Sequence, residues 1–345
     1  MKNRIFVLVG LTVAAFAILL ALGTNVSNKT RHKNGFSRSI IHLSPTLTTE
    51  LPFIDEVRNV CGSYDEWIFI ETATVGKLYK FSSQSHTLDT VIIPMPKIAG
   101  FAHAFSTEVL YPFVYINSSY ARCQIRYNLL NAQVDTMQLL TGGFTNAVML
   151  HNGDVVVKAI DTPSFNSKFK KVAAASRQIL VEKNLSPELG DAGITLDGKL
   201  SYDPSLGLLV YVCYYNNQIT CFDTTLKKVY NSRTIDTVKF SPVGLKKTSS
   251  YVSFAKPPFT INAYSTVAAG RLYVKSLLNA DDETTDNDHT VIDVYSVTDG
   301  RYSGSFYLPK PKKQVPLFKI YNDRVIVLSK HLLSIYSLNL KQLPT

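Results

Sequence analysis

Short apolar runs that return in pairs, every 40 to 60 residues, restrict what this chain can fold into more than any other feature. One run of each pair follows a turn. These are Trp67–Ile70 after Tyr64-Asp65-Glu66, Phe113–Ile116, Val155–Val157 after Asn152-Gly153-Asp154, Leu209–Val212 after Leu206-Gly207, Leu272–Val274 after Gly270-Arg271, and Val325–Leu328 after Asn322-Asp323. The second run carries an aromatic residue: Lys77–Phe81, Gln124–Tyr127, Ile219–Phe222, Val291–Tyr295 and Leu333–Tyr336, with Phe169–Val172 filling that place in the third pair. The turns at Asp65, Gly153, Gly207, Gly270 and Asp323 lie 88, 54, 63 and 53 residues apart, and Phe113 divides the first interval into two of about 44.

Runs this short, bounded by turn formers, are strands rather than helices. The abundance of Tyr and Phe (19 and 18, against one Trp) suits the half-buried surface of a sheet. A repeated unit of this length has an apolar face that only its neighbours can cover, and a closed ring covers all of them. The expected fold is therefore all-β, a six-bladed β-propeller preceded by one N-terminal hydrophobic helix; a two-domain β-sandwich is the alternative. No stretch of the body carries a sustained helical stripe; the best helical candidate, Lys168–Lys183, matches a helical period only in part, through Phe169, Val172, Ala173, Ile179 and Leu180.

Met1-Lys2-Asn3-Arg4 is a basic start, and Ile5 to Leu22 is an uncharged, mostly apolar run of 18 residues. At about 1.5 Å per residue that run can span a bilayer. Ala21-Leu22-Gly23 also offers small residues for signal cleavage. The expected organisation is a signal anchor or signal peptide over 1–23, a flexible tether over 24–48 and the propeller over 49–342. This places the body outside the cytoplasm, periplasmic or at the cell surface, anchored or secreted, with the membrane engaged through residues 5–22.

The phrases Val291-Ile-Asp-Val-Tyr-Ser-Val-Thr-Asp-Gly300 and Gly270-Arg-Leu-Tyr-Val-Lys275 resemble blade motifs of divergent six-bladed propellers, TolB-like or NHL-like, of Bacteroidetes bacteria. The resemblance covers about residues 50 to 340 and implies an exported protein, often lipid-anchored. This chain departs from the lipid-anchored form, since no cysteine follows the hydrophobic run. The resemblance supplies no catalytic residues.

Few residues stand out as chemistry. Cys213 and Cys221 flank a predicted hairpin, Tyr211-Val-Cys-Tyr-Tyr-Asn-Asn-Gln-Ile-Thr-Cys221; a loop centred on Asn217 would set them opposite one another, as a candidate disulfide or as two buried thiols. The acidic stretch holding Asp281, Asp282, Glu283, Asp286 and Asp288 could hold a calcium ion, but it lacks the glycine of an EF-hand loop and reads better as a solvated connection. The seven histidines are dispersed, and no zincin, nucleophile-elbow, Walker or dinucleotide motif occurs. The net charge of +10 favours anionic partners, yet the basic residues are scattered and form no nucleic-acid-binding module. The function expected is a non-catalytic binding or scaffolding module with a protein or glycan ligand and no cofactor; a propeller hydrolase or lyase with its site at the channel mouth is the alternative.

Overall fold

The computed structural model describes residues 12–17, 33–140, 142–161, 164, 166–184, 191, 193–239, 244–248, 252–283, 289–309, 317–321 and 323–339. Six four-stranded antiparallel sheets follow one another along the chain. Blade I comprises Val57–Tyr64, Trp67–Thr72, Lys77–Ser82 and Leu88–Ile92; blade II comprises Phe105–Leu110, Phe113–Ser118, Cys123–Asn128 and Val134–Gln138. Blade III runs through Phe144–Met149, Val155–Asp161, Asn166–Val172 and Ile179–Lys183, and blade IV through Gly198–Asp203, Leu208–Cys213, Gln218–Asp223 and Lys228–Arg233. A small hairpin, Leu245–Lys247 with Val252–Phe254, precedes blade V, which is formed by Asn262–Ala268, Arg271–Ser276, His289–Ser296 and Tyr302–Pro309. Blade VI takes Leu317–Tyr321, Arg324–Ser329 and Leu332–Ser337 from the C-terminal end of the chain, and its outermost strand, Thr46–Pro52, from the N-terminal end.

The molecule is thus a six-bladed β-propeller. Six apolar clusters, one between each pair of neighbouring blades, close the ring. Each sheet is covered on both faces, which explains why the second strand of a blade reads as a mostly apolar run. In blade I, Ile68 and Ile70 pack towards blade VI, while Phe69 between them packs towards blade II. In blade III, Val155 and Val157 pack towards blade II and Val156 towards blade IV. Gly62, on the innermost strand of blade I, is required by this packing, because a β-carbon there would lie 2.5 Å from the carbonyl oxygen of Val109 in blade II.

Lys168–Lys183, the best helical candidate, belongs to a hairpin, with Phe169 opposite Lys183 and Val172 opposite Ile179, so Phe169–Val172 is the strand that the pairing of runs requires. A three-residue spacing puts two side chains on one face of a helix but on opposite faces of a strand. Phe169 faces blade IV and Val172 faces blade II, and both faces are apolar, so the spacing carries no helical meaning here.

The N-terminal part departs from the expected tether. Residues 33–45 form a strap along the outer strand of blade V: Ile40 bridges Ser305, Ile41 donates its N–H to the Ser305 carbonyl at 2.7 Å, and Ser305 donates to the Ser39 carbonyl at 2.9 Å. Gly304, with φ +145°, sits beneath Ile41, where any β-carbon would lie 2.5 Å from the Ile41 Cδ1. Thr46–Thr48 then begin the closing strand of blade VI. Polarity alone misread this segment, because its partners are far away in sequence. Residues 12–17 are helical, the rest of the 5–22 run lies outside the described residues, and no helix among the described residues is long and apolar enough to cross a membrane.

Candidate functional site

The innermost strands of all six blades surround an axial channel with a cavity of about 370 Å³. Charged side chains on its wall come from alternate blades: Glu108 from blade II, Lys199 from blade IV and Lys319 from blade VI. Between them stand neutral polar groups, including Asn59, Asn146 and Thr266 from blades I, III and V. No histidine and no second carboxylate is among the lining residues.

Hydrogen bonds between blades fix the acceptors around this channel. Glu71, buried at the end of the second strand of blade I, accepts the backbone N–H of Thr107 in blade II. Glu108 accepts the N–H of Met149 in blade III at 2.9 Å. Asn146 donates to the Gly198 carbonyl at 3.2 Å and accepts the Leu200 N–H at 3.4 Å, joining blade III to blade IV. Each carboxylate therefore has a neutral backbone partner rather than a cation in contact. Desolvation pushes the Glu71 carboxyl up to about 7, against the opposing pull of Thr107, Arg58 and Lys199. Burial likewise raises Glu108, opposed by the Met149 N–H and by the fields of Lys319 and Lys199.

The two lysines are the unusual members. Among the described residues, neither ammonium lies within 4.0 Å of a carboxylate. Lys199 Nζ stands 5.9 Å from the ring centre of Tyr264, within reach of a weak cation–π attraction. Enclosure lowers the Lys319 pKa, with Glu108 and Cys61 acting against that shift from a distance. Sequence reasoning missed all three charged residues. Each lies on a short strand of mixed polarity in a different blade, and only ring closure brings them together.

The residues that the sequence did single out lie elsewhere. Asp281 accepts the N–H groups of Asn34 at 2.6 Å and Gly35 at 3.1 Å. Glu283 pairs with Arg38 and accepts from the Ala280 N–H at 2.8 Å and the Tyr307 hydroxyl at 3.0 Å. These two carboxylates hold the strap, so the connection is not merely a solvated loop; Asp282 is exposed, and Asp286 and Asp288 lie outside the described residues. Among the described residues no three groups are placed to share a metal ion.

The cysteine register differs from expectation by three residues, since Val210 opposes Cys221 and Val212 opposes Ile219. Cys213 consequently faces blade III and Cys221 faces blade V, on opposite sides of one sheet, and both are buried free thiols. A disulfide between them would need the strand to turn over. The sequence gives no sign of the shift, because Asn216 and Asn217 both suit a turn.

No protein-family model and no curated protein matches the chain. Among solved structures, a member of the DUF4221 family from Bacteroides vulgatus superposes with a TM-score of 0.55 at 9% identity, covering 86% of this chain and 98% of that one. Virginiamycin B lyase from Staphylococcus aureus superposes with a TM-score of 0.52 at 12% identity, covering 85% of this chain and 99% of that one. At these identities the likeness shows the propeller fold and nothing about chemistry.

Proposed function

We propose that this protein is a non-catalytic binding module that takes a small polar ligand in its axial channel, and that the ring is displayed outside the cytoplasm by the apolar run at residues 5–22. The observation that carries the binding reading is the composition of the channel wall. It combines amides, hydroxyls and two ammonium groups around about 370 Å³, within the size range of small-molecule sites. A hydrolase or lyase needs a nucleophile or base with a partner that orients it. Among the described residues Glu108 is the only carboxylate on this wall, and it accepts the Met149 N–H. A glycan fits the wall best, since amides and hydroxyls of this kind match sugar hydroxyls.

The test is a thermal-shift screen of neutral and acidic mono- and disaccharides, with the same samples followed by NMR for turnover. Saturable stabilisation without consumption of the sugar supports the module. Consumption that disappears in Glu108→Gln would replace this reading with the enzyme, as in the virginiamycin B lyase neighbour. Absence of any shift, with no effect of channel substitutions, would move the binding surface away from the axis.

A further inference from the structure

We infer that the channel selects an anionic ligand, a carboxylate or phosphate carried on a small hydroxylated skeleton, seated between Lys199 and Lys319. The inference rests on the channel being the binding site and adds the charge of what enters it.

The argument begins with the cost of enclosing charge. A cation removed from open water is normally paired with a carboxylate or bonded to several carbonyls. Two enclosed cations elsewhere in the molecule obey that rule. Lys158, 2% exposed, has the Tyr211 hydroxyl at 2.8 Å, the Asp197 carboxylate at 3.1 Å and the Gly193 carbonyl at 3.2 Å. Arg38 has two carboxylates and a carbonyl. Among the described residues Lys199 and Lys319 have no such partners, although Glu108 stands on the same wall, close enough for both to act on its ionisation. Glu108 is occupied by the Met149 N–H, and Glu71 by Thr107. The ammonium groups therefore project towards space that protein does not fill.

The surrounding charges agree. The lining contributes two cations and one anion, and both nearby carboxyls have their ionisation suppressed by burial. Exposed Arg58, at the start of the blade I inner strand and 5.2 Å from the Phe105 ring centre, adds a third positive charge next in sequence to the lining residue Asn59. The net charge of +10 draws anions towards the molecule as a whole. Asn59, Asn146, Ser106 and Thr145 line the same cavity and can serve the hydroxyls of the ligand skeleton.

The probes are inorganic phosphate, D-glucuronate and neutral D-glucose, titrated by calorimetry and thermal shift at constant ionic strength. The proteins are the full-length wild type, Lys199→Met, Lys319→Met and, as a control for lost surface charge, Lys97→Met. Expected are saturable binding of glucuronate, weaker binding of phosphate and at least a tenfold preference for glucuronate over glucose. Each channel substitution should weaken anion binding about 10- to 100-fold, the size of one charge-assisted hydrogen bond, while Lys97→Met has no effect. If glucose binds as well as glucuronate and neither channel substitution matters, the anion inference is overturned and the channel remains a binding site. If no probe binds the wild type and both channel variants fold with unchanged or higher stability, the lysines serve no ligand, and the channel reading falls with them. Circular dichroism of each variant separates lost binding from lost folding.

Discussion

Arg38, within the N-terminal strap, and Lys319, on the channel wall, are both cations withdrawn from open solvent, and they are treated in opposite ways. Arg38 donates Nε to Asp293 at 2.8 Å and Nη2 to the Leu278 carbonyl at 3.0 Å, and Nη1 meets Glu283. Asp293 is held further by the Ser305 hydroxyl. Burial works against the Arg38 charge, yet the two carboxylates outweigh it and raise its pKa. Lys319 has no such shell, and its pKa falls. An enclosed charge whose partners are all present is part of the scaffold. One that lacks them beside a cavity points to something the protein does not itself supply.

The largest effect should come from breaking the satisfied cluster. Arg38→Met leaves Asp293 enclosed without a cation and is expected to cost about 3–5 kcal/mol, the range for removing one partner of a buried pair. Urea unfolding at neutral pH measures this, and Arg38→Met/Asp293→Asn should recover part of the loss. A loss below about 1 kcal/mol would show the strap cluster to be as dispensable as a surface pair.

Glu71 sharpens the comparison from the acidic side. Its folded pKa of about 7 lies above its ordinary 4.5, so the folded state holds a proton that the unfolded chain releases. The resulting stability is fully present below about pH 4.5 and is lost as pH rises through about 7. The loss from this group is about 3 kcal/mol at most, at 1.36 kcal/mol per pH unit. Unfolding free energies at pH 5 and pH 8 should differ less in Glu71→Gln than in the wild type, since the amide oxygen can still accept the Thr107 N–H. An equal drop in both proteins would assign the pH dependence elsewhere.

Smaller still is the effect expected of Lys319→Met without ligand. Replacing an unpartnered cation with an apolar chain of similar length should leave stability unchanged or raise it by about 1 kcal/mol. Marked destabilisation would mean that the lysine is a structural element and that the contrast with Arg38 is false. The least change should follow from reduction: with Cys213 and Cys221 on opposite faces of blade IV, the melting temperature should be the same with and without reductant. Thiol labelling of all four cysteines should await unfolding.

The contrast between strand positions explains what could be read from the sequence. Second strands, such as Val155–Asp161 and Leu208–Cys213, are buried on both faces and appear as apolar runs, so six blades could be counted. The innermost strands were not recognised: Val57–Tyr64, Phe105–Leu110 and Gly198–Asp203 mix Asn, Ser, Thr, Glu and Lys with apolar residues, because their environment is part core and part channel. Outer strands such as Leu88–Ile92 and Ile179–Lys183 are mostly exposed and equally faint. The channel site was hidden for the same reason as its strands. Glu108, Lys199 and Lys319 belong to three blades, and no local pattern links them.

The pairing of Thr46 with Ser337 and of Pro52 with Leu332 bears on how the chain is made. The closing strand is among the first parts of the ring to be synthesised, and its partner is among the last. Blades I to V can form in order as the chain grows, but the first strand must wait through nearly all of synthesis. This is the most non-local contact in the fold and carries the largest loop-closure cost. A chain ending before Leu332 leaves Thr46–Pro52 without its partner and keeps blade VI open, with strand edges free to pair with other chains. The topology therefore distinguishes chains that extend through Ser337 from shorter ones, because only the former can latch.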